Sequence, residues 1–299
     1  MDLRQLTYLV RTVDSASISQ AARALNIAQP SLSQRLKDLE EELGLRLIDR
    51  TPSGIRPTEA GARIADRARA ILRLVEALVI EARSDTHAPA GDVFVGLPTT
   101  MALHLTVPLV KAVRERFPKV NLRISEGMSG HIQEWLLSGR LDLAILYTDE
   151  PAGGLILDKL TDEDLCLISR PDASHAGKTI RFADLGAIPL VLPGPDHGLR
   201  RSIEKVRANT GAALSIAVEV DSLPHMKRLA ADGALSTILP AAACREEIQA
   251  GQLFATPIVR PNLRRPIVLA RTNNRPGSAA VERINDLLRQ LVLQSLAAG

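Results

Sequence analysis

Apolar positions in the first third of the chain recur at helical spacing. Leu6, Leu9, Val10 and Val13 fall at i, i+3, i+4 and i+7, which predicts a helix over residues 3 to 13 with one apolar stripe. Ser17 and Gln20 make an S-x-x-Q capping box that opens a second helix, with Ala21, Ala22 and Leu25 on its inner face. Asn26, Ile27 and Ala28 supply a turn, and Pro30 is tolerated only in the first turn of a third helix. That helix buries Leu32, Leu36, Leu39 and Leu43 and ends at Gly44. LRLIDRTPSGIRPTEAG then reads as a short strand, a turn at Ser53 and Gly54, and a return past Ile55. From Thr58 to about Asp85 runs a helical segment without internal proline. Ile64, Ala68, Ile71, Val75, Leu78 and Ala82 advance along it in steps of four and three, and Ala65, Leu72 and Val79 widen this heptad seam. The segment would span roughly 42 Å at 1.5 Å per residue.

After HAPAGD, which reads as a hinge, strands alternate with helices. VFVGL, VNLRISEG and LDLAILY are predicted strands, separated by helices at residues 106 to 117 and at HIQEWLLSG. A second series runs through LCLIS, IPLVLP, a helix at 199 to 209, LSIAVEV and a helix at 224 to 232. The late strand RPIVLAR and a helix at 280 to 296 would return to the first lobe. This order predicts mostly parallel sheets covered by helices, in two lobes with a cleft between them. The fold class expected is α/β multidomain. Residues 1–58 hold the small helical unit, 59–87 the long helix and 88–91 the hinge. Residues 92–299 hold the two lobes, lobe one at about 92–162 and 267–299 and lobe two at about 163–266.

The outward side of the third helix carries Pro30, Ser33, Gln34 and Lys37, a short polar face suited to the major groove of duplex DNA. Gln pairs with adenine edges, Ser with several bases or a phosphate, and Arg35 and Lys37 reach phosphates or guanine. Arg50, Thr51, Arg56 and Thr58 in the hairpin would lie beside the duplex. The heptad seam needs a partner. A second copy of itself is the simplest, and packing on the chain's own C-terminal part is the alternative. Net charge +3 with pI near 9.1 permits DNA binding, while 2% aromatics speak against stacking on single strands.

In open α/β sheets ligands bind at the carboxyl ends of strands, so the strand-to-helix turns are the candidate ligand residues. These are Pro98, Thr99 and Thr100, then Met128, Ser129 and Gly130, then Tyr147 and Thr148 in lobe one. In lobe two they are the 194 to 199 turn, with His197, Gly198 and Leu199, and the 222 to 225 turn with His225. Hydroxyls and helix-start N–H groups favour a small anion. The lobe-one turns offer no arginine, and Arg200 and Arg201 are placed to compensate. No Gly-rich phosphate loop, G-x-S-x-G elbow, H-E-x-x-H pair or Cys/His ligand spacing is present, and the six histidines are scattered; His131, His197 and His225 could meet in the cleft, but single turn histidines are more often hydrogen-bonded or solvated, so neither an enzyme nor a metal site nor a cofactor is expected. Cys166 and Cys244 are expected to be small buried hydrophobes. Neither a signal peptide nor a long apolar span is evident, so the cytoplasm or nucleoid is the expected location and no membrane partner is expected.

The stretches MDLRQLTYLV, SISQAARALNIAQPSLSQRLKDLEEELG, LRLIDR, PTEAG, GLPTT, ERFPKVNLRISEG and SGRLDLAIL resemble the LysR-type transcriptional regulators over essentially the whole chain. The LPTT and GMSGH stretches resemble a subgroup that includes nitrogen-assimilation regulators, some of which act without a known effector. The resemblance implies a winged helix-turn-helix, a dimerisation helix and a periplasmic-binding-like effector domain. It also implies dimers or tetramers on interrupted palindromes, a small metabolite effector and action on RNA polymerase. By position, Gln29, Pro30, Ser31, Ser33, Gln34 and Arg35 would face DNA, and Thr99, Thr100, Ser129 and residues 197 to 199 would contact an effector. Ile48 stands where the family more often has phenylalanine, a swap that should preserve packing.

Overall fold

A computed structural model describes all residues except 52–53, 84–88, 149, 151–152, 274–277 and 298–299. Three helices open the chain, α1 (Leu3–Ser15), α2 (Ile18–Ala24) and α3 (Gln29–Leu43). The reciprocal capping box sits on α1, where Asp2 accepts from the Gln5 amide and the Gln5 side chain accepts from Asp2. Ser17 makes only its own half of the box at α2, accepting from the Gln20 amide at 3.4 Å. Gly44 ends α3 at φ +66, a left-handed value that glycine adopts without strain. Leu9, Ala21, Ala22, Leu32, Leu36 and Leu39 form the core of this unit.

Strands β1 (Ile48–Thr51) and β2 (Gly54–Pro57) pair antiparallel as a wing. Ser53, assigned to its turn, lies outside the described residues, as do Ser84 and Asp85 beyond the long helix. Helix α4 (Glu59–Arg83) starts at a Thr58 cap, whose hydroxyl accepts from the Gly61 amide at 2.9 Å. The seam divides along this helix. Of its residues Ala65 and Ala68 are buried within the chain, whereas Ile71, Leu78 and Val79 stay exposed, as does Leu74 beside them. Packing against α1 and lobe one accounts for the first half of the seam, and the described residues of the second half are more exposed.

Lobe one is a five-stranded sheet in the order β4-β3-β5-β13-β6. Strands β3 (Gly91–Pro98), β4 (Val120–Gly127) and β5 (Leu143–Leu146) run parallel, connected by α5 (Thr99–Arg116) and α6 (Ser129–Leu137). Gly91 and Asp92, read as hinge in HAPAGD, already belong to β3. Helix α5 begins seven residues before the predicted Thr106 despite Pro108 in its interior. Met101, Ala102, Leu105, Leu109 and Val113 bury one continuous face on the sheet, and that packing outweighs one lost backbone bond.

Strand β6 (Leu155–Asp164), absent from the sequence expectation, and β13 (Arg264–Thr272) are antiparallel and lead to and from lobe two. Lobe two holds β7 (Cys166–Ser169), β8 (Ile180–Arg181), β9 (Pro189–Leu192), α7 (Gly198–Thr210), β10 (Ser215–Glu219), α8 (Leu223–Asp232), β11 (Thr237–Leu239), α9 (Arg245–Gln249) and β12 (Phe254–Val259). β9 and β10 are parallel, while β11-β7-β12 is antiparallel. Helix α10 (Ala279–Ala297) closes on lobe one through Ala280, Ile284, Leu287 and Leu288.

Candidate functional site

The polar side of α3 opens onto a surface depression lined by Gln29, Pro30, Ser33, Gln34, Lys37 and Arg50. Pro30, Ser31, Gln34, Arg35, Lys37, Arg50 and Arg56 are exposed. Several are held by short local contacts: Gln29 Nε2 donates to Ser33 Oγ at 3.2 Å, Gln34 Nε2 to Asp38 Oδ1 at 2.8 Å, and Lys37 pairs with Glu41 at 3.4 Å. Glu40 Oε1 accepts from the Leu47 and Ile48 amides at 2.7 and 3.1 Å, fixing the wing to α3. The Ile55 amide donates to Ala16 O at 3.1 Å, which anchors the second wing strand to the end of α1. Thr58 differs from the rest. Its hydroxyl caps α4 and donates to Arg46 O at 2.7 Å, so it orders the junction of wing and helix.

A second cluster lies where the lobes meet. Thr99 and Thr100 are the first residues of α5, Ser129 the first of α6 and Gly198 the first of α7. The lobes touch here: a Cβ on Gly198 would sit 2.8 Å from Ser129 Oγ. The arginine missing from the turns arrives from β13. Arg265 is fully buried, donates from Nε to Glu163 Oε2 at 2.7 Å and from Nη2 to Thr100 Oγ1 at 2.9 Å, and stacks 3.6 Å from the Tyr147 ring centroid. Thr100 Oγ1 and the Tyr147 hydroxyl share a hydrogen bond of 2.6 Å. Burial pushes the Tyr147 phenol up to about 12, so it stays protonated as a hydrogen-bonding group. Within this cluster, one guanidinium nitrogen of Arg265 and the hydroxyl of Ser129 end without a partner among the described residues.

His197 caps α7, its Nδ1 accepting from the Leu199 amide at 3.1 Å. Burial, followed by the Arg265 charge, lowers its pKa below the ordinary imidazole value. Leu199 is a buried core residue of lobe two, and Thr148 lines the outer mouth with Arg201, Lys205 and Arg264. His225 is on the surface, bonded to Ser222 at 2.6 Å, and His131 stacks on Trp135, so neither joins His197. Arg200 is structural: it binds Glu204, Glu219 and Pro193 O. No group of three potential metal ligands occurs among the described residues.

What the sequence reading lacked was Arg265 and Glu163. Their signal is the pairing of TDED with RRP: register sets Arg264 against Asp164 on the outer face and Arg265 against Glu163 inside, alternating as strand side chains do.

A winged helix-turn-helix with an exposed reading helix, joined to two lobes that close over buried donors, defines a DNA-binding regulator with a ligand-sensing domain. Residues 3–62 match the family described as "Bacterial regulatory helix-turn-helix protein, lysR family", and residues 86–292 match "LysR substrate binding domain". The chain belongs to the LysR family and is a DNA-binding transcriptional regulator, not an enzyme. It is 31% identical to the nitrogen assimilation regulatory protein nac of Klebsiella aerogenes over 98% of this chain and 95% of that one. It is 30% identical to the dual regulator OxyR of Escherichia coli K12, with 96% and 93% covered. A solved full-length OxyR variant from Pseudomonas aeruginosa superposes with TM-score 0.77 at 24% identity, covering 98% of this chain and 94% of that one, a likeness of fold.

Proposed function

We propose that this regulator reads an interrupted palindrome as a dimer or tetramer, and that a small monoanion held between its lobes sets its action on RNA polymerase. The observation that carries the DNA reading is the exposed row Gln29, Pro30 and Gln34 on α3 with half-buried Ser33 between them, flanked by Arg35, Arg50 and Arg56. The exposed Ile71, Leu74, Leu78 and Val79 of α4 offer the surface on which a second copy pairs, and pairing presents two reading helices. We place this activity in the cytoplasm, on the nucleoid. Among the described residues no helix is long and apolar enough to cross a membrane.

A duplex selected by the full-length protein from a random pool gives the test. Gln34→Ala is expected to reduce discrimination between the selected duplex and base-substituted versions about tenfold or more, because one bidentate amide–adenine pair is worth about 1–3 kcal/mol. Affinity for unrelated DNA should hardly change. An unaltered site preference would remove Gln34 from the reading face.

Ligand class follows from the charges already present. Glu163 offsets Arg265, so the spare guanidinium nitrogen, Ser129 Oγ and the N-terminal ends of α6 and α7 suit one carboxylate better than a dianion. Thermal shifts of the full chain against a panel of small monocarboxylates, dicarboxylates and inorganic phosphate check this. At one hundred times Kd a ligand adds about 2.7 kcal/mol of stability. Ser129→Ala should abolish the monocarboxylate response and keep DNA binding; a response retained in that variant would place the ligand elsewhere.

Peroxide sensing, the activity named for the OxyR relatives, does not fit the thiols of this chain. Burial pushes Cys166 up to about 11 and Cys244 up to about 12, which disfavours the reactive thiolate at both positions.

A further inference from the structure

Helix α6 has one end in the cleft and the other on the DNA-binding half of the protein. Its first residue, Ser129, is buried against Gly198 of lobe two. Nine residues later, after about 13 Å of helix at 1.5 Å per residue, the chain turns sharply at Gly139 and Arg140. The turn is tied to the helix by the Gly139 amide bonding Leu136 O at 3.1 Å and the Arg140 amide bonding Trp135 O at 2.8 Å.

Both turn residues grip α4. Arg73 donates to Gly139 O while lying 4.6 Å from the Phe94 ring centroid, and Arg140 Nε donates to Asp66 Oδ1 at 2.7 Å. Asp66 is only 7% exposed, and the same oxygen accepts from Arg69 at 2.5 Å. Arg69 in turn pairs with Asp14 near the end of α1, the helix whose Leu9 packs in one core with Leu32 and Leu36 of the reading helix. Charged hydrogen bonds thus run without a gap from the α6 turn, through Asp66 and Arg69, to α1.

We propose that Asp66 is the positioning residue that passes the placement of α6, set by closure of the lobes on Ser129, to the DNA-binding unit through Arg140 on one side and Arg69 and Asp14 on the other. A buried carboxylate held by two guanidiniums has a narrow choice of geometries, so displacement of Arg140 must be answered by Arg69 or by loss of a buried charge pair. The inference needs no particular ligand and holds whether or not the monoanion reading is right.

Gly198 provides a wedge that requires no ligand. Gly198→Val puts carbon atoms where Ser129 Oγ now stands and forces lobe two away from the start of α6. Binding of the full-length protein to its selected duplex is measured for wild type, Gly198→Val, Arg140→Ala and the double variant. The wedge is expected to change Kd about threefold to thirtyfold, corresponding to the coupling range of such networks, and the change should fall to less than twofold when Arg140 is absent, by the logic of a double-mutant cycle. Hydrogen exchange of the α1 amides around Asp14 should respond to the wedge only when Arg140 is present, a behaviour that a merely structural salt bridge would not give. Gly198→Ala, with a single added carbon, repeats the cycle if the valine variant fails to fold. An equal change in both backgrounds, or no change in the wild-type background, overturns the proposal.

Discussion

Replacing Glu163 by glutamine is expected to destabilise the two-lobed domain by about 3–5 kcal/mol, the usual consequence of leaving one member of a buried ion pair without its counter-charge. Arg265 has no exposed surface and, among the described residues, no other carboxylate bonded to it, so the guanidinium cannot turn to water when Glu163 loses its charge. Trp135 is the only tryptophan and lies on α6, so its fluorescence during urea unfolding follows lobe one directly. The midpoint should fall sharply in Glu163→Gln. Combining it with Arg265→Met should recover a large part of the loss, since apolar replacement of a whole buried pair is often neutral. A single variant within about 1 kcal/mol of wild type, a shift typical of ordinary surface changes, would mean the pair is better hydrated than its burial implies.

Gly61→Ala should abolish DNA binding without touching the lobes. A Cβ at position 61 would come within 1.8 Å of the Leu47 carbonyl oxygen, a backbone atom that also accepts from the Thr58 amide at 3.0 Å. No rotamer change relieves a contact of that kind, so either the wing or the start of α4 must move. Overpacking generally costs about 1–3 kcal/mol, and the upper end applies where backbone opposes backbone. Because the wing is pinned to α3 by Glu40, displacing it disturbs the reading face as well. Two observations together check the claim: loss of binding to the selected duplex, and an unchanged urea midpoint for Trp135. Wild-type affinity in the alanine variant would show that the junction relaxes.

The helical unit was legible because its signals are local. Leu6 and Leu9, the Ser17 cap, Asn26 in the turn and Gly44 at the helix end each act within one or two turns of chain, and α1 to α3 follow them closely. Strands such as β4 and β10 were equally plain from their apolar alternation. β6 escaped because LILDKLTDED is rich in charge, and several of those charges find partners across space, Asp158 with Arg289 of α10 and Asp164 with Arg264. The start of α5 was hidden by Pro108, whose local preference yields to sheet packing. In the cleft, Thr100, Ser129 and Gly198 were found from the rule about strand ends, but Arg265 comes from a strand far beyond Thr100 and Ser129 in sequence and opposite a carboxylate whose inward face depends on register. Ser129 keeps a vacant donor while Thr100 is fully engaged, a distinction that belongs to three-dimensional contacts alone.

The contacts on the reading helix carry a consequence for how a target is found among competing sequences. Gln34 already holds Asp38, and Lys37 already holds Glu41. On the proposed reading, a random duplex would offer the amide nothing better to bind, while Asp38 and Glu41 would lie near the phosphates and weaken the grip by like-charge repulsion. On the proposed reading, an adenine edge meeting Gln34 would exchange that internal bond for one to a base, leaving Asp38 to water. If Gln34 reads DNA as proposed, these acidic neighbours would act as a filter on dwell time, hastening departure from wrong sites through residues that never touch a base.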